Sequence, residues 1–358
     1  MASRQEQFSG TTEVREAHRF DVGRLEEWMR SNVEGFKGPL SVEQFKGGQS
    51  NPTYKLVTPT KNYVLRRKPP GQLLKSAHAV DREYAVITAL GKTDFPVAKT
   101  WGLCTDDAVI GTWFYIMDCV DGRVIWDTSF PDVPREERRA YFDAMNRAIA
   151  QLHTTDYAAI GLADFGKPGN YFARQIGRWS KQYVEDVDAG RVAAMDKLVE
   201  WLPENIPAGD ETSIVHGDYR CDNMIFHPTE PKVLAVLDWE LSTLGHPLAD
   251  FTYHLMMYRM PPQETAGLAG RDLATLGIPT EAEYVAAYCA RTGRPAEIPN
   301  LDFYVAYNMF RLAAIIHGIR GRVVRGTAAS AHAKAMSERV EPLADLAWQQ
   351  ALKAQGKA

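Results

Sequence analysis

The sequence predicts an α+β fold, with a small, mostly antiparallel sheet and one helix in its N-terminal part and a mainly helical C-terminal part. Short apolar segments bounded by turn residues lie between residues 40 and 120, and one segment of helical periodicity interrupts them. Beyond Pro134, helical patterns predominate. The chain has 358 residues, 45% hydrophobic and 24% charged, which is enough for two regions with packed cores.

The N-terminal elements follow one another in a simple order. Apolar residues at helical spacing predict a leading helix over 13–35, with Gly35 as its stop. Turn residues at 47–48 and 59–60 separate the three strands that come next. The predicted order is three strands, one helix and two strands, at 42–45, 53–57, 62–65, 78–90, 97–103 and 112–120.

The C-terminal part contains the strongest helical pattern, over residues 134–153. Two short apolar strands, 213–215 and 233–237, interrupt the helices that follow. Strands give way to helices near Gly122, so we predict two lobes, residues 1–121 and residues 122–358.

Composition excludes several classes of protein. The net charge of −4 argues against a general nucleic-acid binder. The four cysteines lie far apart and form no CxxC pair, so a disulfide framework is not expected. The first ten residues lack an apolar core, and the apolar stretch 310–319 is too short to span a bilayer. We therefore expect a cytoplasmic protein that binds neither membrane nor nucleic acid.

One segment carries the residues expected for phosphoryl transfer. Residues 216–223 read HGDYRCDN and follow a predicted strand, and Asp238 ends a second strand; we expect both strand ends at one rim. Transfer from ATP requires a carboxylate to receive the hydroxyl proton, and hard oxygen ligands for magnesium. Asp218 suits the first role, and Asn223 and Asp238 suit the second. Arg220 is placed to offset charge on the transferring group.

Two other kinds of site are disfavoured. His216, Cys221 and His227 could form a zinc site, but their spacing is irregular for zinc ligands. The sequence contains no GxxxxGK[ST] segment, so it does not predict a Walker-type nucleotide site.

The segment HGDYRCDN, followed by LDWE at 237–240, resembles the catalytic and metal-binding loops of the aminoglycoside phosphotransferase (APH) family. That family shares the two-lobed protein-kinase-like fold, and the resemblance covers roughly residues 40–325. It implies that Asp218 is the catalytic base, that Asn223 and Asp238 are metal ligands, and that ATP and Mg²⁺ are the cofactors. The phrases at 63–71 and 174–179 resemble a subgroup that also occurs fused to acyl-CoA dehydrogenase domains.

The resemblance also implies nucleotide contacts in the N-terminal lobe. The hairpin containing Gly47, Gly48 and Ser50 would cover the phosphates. Arg66 takes the place where most kinases have a phosphate-binding lysine, and Glu83 on the following helix is its expected partner. Lys68 is the alternative cation, because it would point to the same face two residues later.

The segment 115–122 matches the connector that holds adenine through backbone groups in the family. This match assigns Asp118 and Val120 to adenine contact. A strand that simply ends at a turn would give the same pattern, so the assignment depends on the resemblance.

Basic residues in the C-terminal half bear on the acceptor. The stretch 311–325 holds four arginines and no acid, and Arg174, Arg178 and Lys181 repeat at helical spacing. Such a face is either solvated and paired with acids, or it binds an anionic acceptor such as a hydroxy acid or hydroxyacyl-CoA. We expect a small-molecule acceptor that carries a hydroxyl and is anionic.

Three other functions are weighed against this one. The family's name suggests an aminoglycoside 3'-type antibiotic kinase, whose polycationic substrate would favour an acidic pocket. A catalytically inactive, kinase-like nucleotide-binding module would normally lack the base or a metal ligand, and this chain retains all three. The chain also lacks the HRD, DFG and APE markers of protein kinases, so peptide substrates are less expected than small molecules.

Overall fold

The computed structural model describes residues 9–46, 51–69, 79–262, 267–328 and 333–357. The chain divides into two compact units. The first unit comprises Met1–Ala148, Asp156–Phe165 and Arg220–Ser242. The second unit comprises Ile149–Thr155, Gly166–Tyr219 and Thr243–Ala358. The predicted functional boundary between residues 121 and 122 stays a prediction.

The first unit contains a six-stranded sheet in which all neighbouring strands run antiparallel. The strand order is β1-β2-β3-β4-β6-β5. The strands are β1 (Thr11–Thr12), β2 (Ser41–Phe45), β3 (Thr53–Val57), β4 (Asn62–Arg67), β5 (Thr100–Cys104) and β6 (Phe114–Asp118). The expected antiparallel sheet is confirmed, with the short β1 as an additional edge strand.

Three helices accompany this sheet: α1 (Val22–Asn32), α2 (Val80–Leu90) and α3 (Asp107–Ile110). α1 is shorter than the predicted helix because Asp21 caps it, its carboxylate accepting from the Arg24 N–H at 3.0 Å. One side of the sheet and α1 share an apolar core that includes Leu25, Met29, Tyr54, Leu56, Leu65, Phe114 and Ile116. This burial fixes the orientation of β4, whose side chains alternate between the two faces of the sheet.

A second, two-stranded antiparallel sheet in the first unit pairs β8 (Met224–Phe226) with β9 (Val233–Val236). Close packing holds the segment around Gly122 against it, because a Cβ on Gly122 would lie 2.4 Å from the Phe226 carbonyl oxygen. The neighbouring Arg123 exchanges backbone hydrogen bonds of 2.9 Å with Phe226. The chain that follows β6 is therefore tied to the β8–β9 hairpin.

The second unit has its own two-stranded antiparallel sheet, formed by β7 (Ser213–Val215) and β10 (Thr243–Gly245). β7 and β9 belong to different sheets, and the expectation that the residues after strands 213–215 and 233–237 meet at one rim stays a prediction. Each strand pairs instead with a three-residue partner, β10 or β8, that is too short to show periodicity in the sequence.

Helices form most of the second unit, as the sequence predicts. The remaining helices of the chain are α4 (Arg135–Thr154), α5 (Tyr171–Glu185), α6 (Ala193–Glu204), α7 (Pro247–Leu255), α8 (Leu273–Leu276), α9 (Glu281–Thr292), α10 (Leu301–Val324), α11 (Ala333–Ser337) and α12 (Val340–Ala354). α10 is the central helix, and most of its length is buried against other helices of the unit. None of the helices built by the described residues has the length and apolar character needed to span a bilayer.

Candidate nucleotide and catalytic sites

A cavity of about 460 Å³ lies within the first unit, between the six-stranded sheet and the β8–β9 hairpin. Its apolar lining includes Val64, Ala98, Met117, Ile225 and Val236. Apolar surfaces on two sides with polar groups at one end are typical of a site for a flat heterocycle that carries a charged tail.

Asp118 and Val120, the predicted adenine contacts, both line this cavity. The Asp118 carboxylate is engaged elsewhere, with the Lys61 ammonium at 2.6 Å and the indole N–H of Trp101. Its backbone N–H donates to the Lys99 carbonyl at 2.8 Å. The carbonyl of Asp118 is therefore the group of this residue best suited to contact a base.

Arg66 is the centre of a charged cluster at the polar end of the cavity. Its Nε lies 2.7 Å from the Glu83 carboxylate, and its Nη2 lies 2.5 Å from the Asp238 carboxylate. Burial acts to lower the pKa of Arg66, but Glu83 and Asp238 together raise it above its ordinary value. Arg66 therefore carries a permanent positive charge while being only 8% exposed.

Glu83 is held by two further donors that sequence reasoning missed. The Asn51 amide donates to one of its oxygens at 2.8 Å, and the Tyr115 hydroxyl donates to the other at 3.1 Å. Both partners are buried, Asn51 completely. Because Glu83 cannot turn without breaking these bonds, the Arg66 guanidinium is held in a fixed orientation.

Lys68, the alternative cation, does not line the cavity. Its ammonium lies 3.9 Å from the centre of the Trp113 ring and 3.9 Å from the Asp81 carboxylate. Asp81 lies on α2, the helix that also carries Glu83, so Lys68 lies on the side of this helix and is engaged outside the cavity lining. Geometry therefore favours Arg66.

Asn223 and Asp238 also line the cavity. They are close in space because the Leu237 N–H donates to the Asn223 carbonyl at 2.8 Å. Asp238 has a φ of 63°, a left-handed conformation that a residue with a side chain adopts only under constraint.

These two residues fit a magnesium ion. A carboxylate and an amide oxygen are hard donors, and magnesium usually keeps several water ligands, so it needs few from the protein. The Asp238 side chain is 34% exposed, which leaves room for those waters. Within the described parts of the chain, no three His, Cys, Asp or Glu side chains cluster as a metal site.

Arg220 and Asp222 form a close pair in the first unit. The Nε of Arg220 donates to Asp222 at 2.9 Å, and its Nη2 contacts the second carboxylate oxygen. Asp222 lines the cavity, whereas the Arg220 side chain is 43% exposed. The arginine predicted to face a phosphoryl group is therefore held in a fork by a carboxylate at the cavity wall.

Gly47, Gly48 and Ser50 lie outside the described residues, so their predicted contact with phosphates stays a prediction.

Asp218 lies in the second unit, directly after β7. The Tyr253 hydroxyl donates to its Oδ1 at 2.6 Å, and its backbone N–H donates to Nδ1 of His216 at 3.2 Å. Asp250 fixes the preceding backbone by accepting from the N–H groups of His216 at 2.7 Å and Gly217 at 2.8 Å.

The Asp250 carboxylate is fully buried within the second unit. Burial alone would raise its pKa, but the hydrogen bond and charge of His153 and the nearby His216 hold the pKa below its ordinary value. A charged Asp250 that accepts from two backbone N–H groups is a structural anchor.

Part of the predicted basic face is paired with acids within the second unit. Arg320 pairs with Glu341, and Arg325 pairs with Asp186 at 2.6 Å. Arg311 is buried and donates to the Gly217 carbonyl at 2.9 Å. The alternative of a paired face thus holds for Arg320 and Arg325.

The helix α5 is different. Arg178 is exposed and lies 5.0 Å from the centre of the Trp179 ring, and Arg174 donates to the Lys167 carbonyl at 2.6 Å. Neither contact neutralises the arginine's charge, whereas Lys181 has Glu185 at 3.7 Å.

Comparison with solved structures shows the class of fold. An aminoglycoside phosphotransferase, APH(4)-Ia, has the same protein-kinase-like fold, with a TM-score of 0.59 at 16% identity over 91% of this chain and 98% of the other. The choline kinase of Cryptosporidium parvum gives 0.59 at 13% identity, over 94% and 98%. The two-lobed kinase-like fold expected from the sequence is thereby confirmed.

The particular family follows from closer matches. Residues 41–304 match the model of the phosphotransferase enzyme family (APH). A crystal structure from Ralstonia eutropha, provisionally named an aminoglycoside phosphotransferase, is 57% identical with a TM-score of 0.87, over 94% of this chain and 99% of the other. The chain belongs to the phosphotransferase enzyme family.

The curated relatives are longer proteins. A probable acyl-CoA dehydrogenase of Arabidopsis thaliana is 44% identical over 338 residues, covering 89% of this chain and 41% of the relative. Acyl-CoA dehydrogenase family member 11 of Gallus gallus is 43% identical over 344 residues, covering 94% and 44%. The chain therefore spans about two fifths of the length of these relatives, and the predicted resemblance to the acyl-CoA dehydrogenase-fused subgroup is confirmed.

Proposed function

We propose that this chain transfers the γ-phosphoryl group of ATP to a hydroxyl of a small molecule. The observation that supports it best is the charged cluster of Arg66, Glu83 and Asp238 at the end of an apolar cavity that Asn223 also lines. A fixed cation beside two oxygen donors is what a Mg²⁺-bound triphosphate requires. Family membership supports the same class of reaction.

In this proposal the nucleotide binds in the first unit. Adenine lies between Val64 and Ala98 on one side and Ile225 and Val236 on the other, with backbone groups of Asp118 and Val120 at its edge. Arg66 contacts the phosphates, and Asn223 and Asp238 hold the metal ion, which neutralises phosphate charge when bound. Membership of the phosphotransferase enzyme family, for which ATP binding is expected, supports an adenine nucleotide here.

Asp218 is the proposed base. The acceptor hydroxyl gives its proton to the Asp218 carboxylate while its oxygen forms a bond to the γ-phosphorus. The bond from that phosphorus to the β,γ-bridging oxygen breaks, and ADP leaves with the electron pair. Arg220 is proposed to offset charge on the transferring group, which requires it to exchange its partner Asp222 for phosphoryl oxygens.

The proposed acceptor is an anionic hydroxy compound, either a hydroxy acid or a hydroxyacyl-CoA. The acyl-CoA dehydrogenase names of relatives that are about 40% identical favour an acyl-CoA or a related acid. Arg174 and Arg178 on α5 remain the arginines suited to a carboxylate or phosphate, whereas Arg320 and Arg325 are already paired with carboxylates.

An aminoglycoside acceptor is the second candidate, because the APH(4)-Ia structure contains hygromycin B. At 16% identity that likeness concerns the fold alone. An inactive nucleotide-binding module is the third candidate, and the retained Asp218, Asn223 and Asp238 argue against it.

A panel of acceptors tests the proposal. Purified protein with ATP and Mg²⁺ is incubated with hydroxy acids, hydroxyacyl-CoA thioesters, choline and aminoglycosides, and ADP release is measured together with the mass of the product. We expect a gain of one phosphoryl group on a hydroxy acid or its thioester. Transfer to aminoglycosides alone would restore the second candidate, and nucleotide binding without any transfer would favour the third.

A further inference from the structure

The catalytic-loop carboxylate has a partner outside the loop. Tyr253 lies on α7, and its hydroxyl donates to Oδ1 of Asp218 at 2.6 Å. The Tyr253 side chain is half-buried, so the bond is partly shielded from water. An ionised carboxylate only accepts hydrogen bonds, so the Tyr253 hydroxyl must be the donor, and its hydrogen bond engages one of the two carboxylate oxygens.

Arg311 on α10 supports this contact from behind. Its guanidinium carbon lies 5.3 Å from the centre of the Tyr253 ring, and its Nη2 donates to the Gly217 carbonyl at 2.9 Å. Arg311 thus contacts both the residue that precedes Asp218 and the ring that donates to it. A buried cation beside the ring makes a phenol a stronger hydrogen-bond donor, because it stabilises negative charge on the phenol oxygen.

We infer that Tyr253 and Arg311 are positioning residues for Asp218, which rests on the phosphotransfer proposed above. Tyr253 holds Oδ1 through its hydrogen bond of 2.6 Å. Arg311 fixes the backbone at Gly217 and the ring of Tyr253 at once. The pair thereby keeps the carboxylate from rotating.

Simple packing would give a different result on mutation. If Tyr253 only filled space, the removal of its hydroxyl would change stability and leave turnover unaffected. If it positions Asp218, the same change leaves substrate binding intact and lowers kcat, because the carboxylate then rotates among several orientations.

The chain offers a control for turnover. The Tyr183 hydroxyl donates to Oδ1 of Asp196 at 2.6 Å, the same kind of bond at the same length, and it also accepts from the Val192 N–H at 2.7 Å. This pair joins α5 to α6 and does not include Asp218. Tyr183→Phe therefore removes a buried tyrosine hydroxyl that does not contact Asp218.

The experiment compares Tyr253→Phe with Tyr183→Phe, using the acceptor and assay that give turnover in the wild type. We expect Tyr253→Phe to lower kcat roughly 10- to 100-fold, as for loss of a hydrogen bond to a charged group. The KM for the acceptor and the Kd for ATP should stay close to the wild-type values, and Tyr183→Phe should keep the wild-type kcat. Wild-type kcat in Tyr253→Phe would overturn the inference.

A double-mutant cycle separates positioning from an independent effect. In the Asp218→Asn background, the further change Tyr253→Phe should alter the residual kcat less than twofold. A full additional loss in that background would also overturn the inference. Should Tyr253→Phe fail to fold, Arg311→Lys enters the same cycle, because lysine keeps the charge and lacks the planar fork.

The wild-type arm distinguishes this inference from the proposed function. Absence of transfer to every acceptor in the wild type would contradict the phosphotransferase proposal itself. Wild-type transfer combined with unchanged kcat in Tyr253→Phe would contradict only the role given to Tyr253 and Arg311.

Discussion

The two units hold their functional carboxylates by different means. In the first unit, Asp238 is paired with a permanent cation, Arg66, and its side chain is one third exposed. In the second unit, Asp218 accepts from a neutral hydroxyl, Tyr253, and the fully buried Asp250 fixes the backbone before it.

This difference follows from the roles proposed for the two carboxylates. A metal ligand must change partners when a cation arrives, and the Asp238 carboxylate, one third exposed, is within reach of such a cation. A base must stay in one orientation, which a neutral donor permits without adding a competing charge. We therefore predict that Asp238 in the first unit exchanges its partner, and that Asp218 in the second unit keeps one orientation.

The largest effect should come from removing the base. Asp218→Asn keeps the shape of the side chain and can still accept from Tyr253, but it cannot take a proton at neutral pH. We expect kcat to fall by roughly 10² to 10⁴, the usual contribution of a positioned general base, with ATP binding and melting temperature preserved.

The control for this change is Asp196→Asn, which alters the equivalent tyrosine–aspartate pair elsewhere in the second unit. It should leave kcat at the wild-type value. Near-normal turnover in Asp218→Asn would show that Asp218 is not the base. It would also contradict the fixed geometry assigned to the second unit.

The next effect concerns acid stability and distinguishes the two units. Burial lowers the pKa of His246 and of His254 to about 4, and both histidines belong to the second unit. In the unfolded chain they titrate near pH 6.5, so between about pH 6.5 and 4 the unfolded state binds more protons. Stability therefore falls as pH falls through that window, by roughly 2 kcal/mol per histidine between pH 7 and 5.

Thermal unfolding at pH 7, 6 and 5 tests this expectation. The control is His246→Asn: the His246 ring accepts from the Leu248 N–H at the start of α7, and asparagine is also a good residue at that position. This variant should lose about half of the acid sensitivity. Equal sensitivity in wild type and variant would show that another group carries the effect.

Sequence alone singles out residues that lie near one another in the chain. Asp218, Asn223 and Asp238 are candidates because they fall within one motif of regular spacing, and their roles stay predictions. The antiparallel sheet was predicted because its strands are long enough to show turns and alternation. The short β8 and β10 were not, because three residues carry no period.

The supporting partners could not be found in this way. Tyr115 lies 32 residues from the Glu83 that it contacts, and Arg311 lies 94 residues from Gly217. Each belongs to a different element, and a single tyrosine or arginine in an apolar segment has no local signal of its function. The contacts of Lys68 with Asp81 and the Trp113 ring, which engage it outside the cavity lining, likewise have no signal in the sequence.

A smaller effect is expected for the metal ligand. At a concentration of Mg·ATP 100 times its Kd, binding should stabilise the wild type by about 2.7 kcal/mol and raise its melting temperature. Asp238→Ala removes a ligand for the metal ion, so the melting temperature should rise much less on adding Mg·ATP.

The quantity to compare is the increase in melting temperature on adding nucleotide. The melting temperature without nucleotide is not comparable, because Asp238→Ala also leaves Arg66 without one of its partners. ATP with a chelator in place of magnesium should abolish most of the increase in the wild type. An undiminished increase in Asp238→Ala would contradict the exchange of partners that the comparison assigns to the first unit.

The smallest expected effect tests the arginine that stands where most kinases have lysine. Arg66 reaches Glu83 with Nε and Asp238 with Nη2, and a planar guanidinium can make both contacts while keeping donors for a phosphate. Arg66→Lys keeps the charge but has a single nitrogen, so it can serve one carboxylate well and the other poorly. We expect the Kd for Mg·ATP to rise about tenfold, equivalent to about 1.4 kcal/mol, with kcat changed less.

The control is Arg67→Lys on the next residue, which faces the Phe20 and Tyr54 rings and donates to the His18 and Ile110 carbonyls. It should lower the melting temperature and leave nucleotide affinity intact, since Arg67 does not line the cavity. Equal losses of nucleotide affinity in both variants would mean that the changes act by destabilising β4. A loss confined to Arg66→Lys would mean that the Arg66 guanidinium both orients Asp238 and contacts the phosphates.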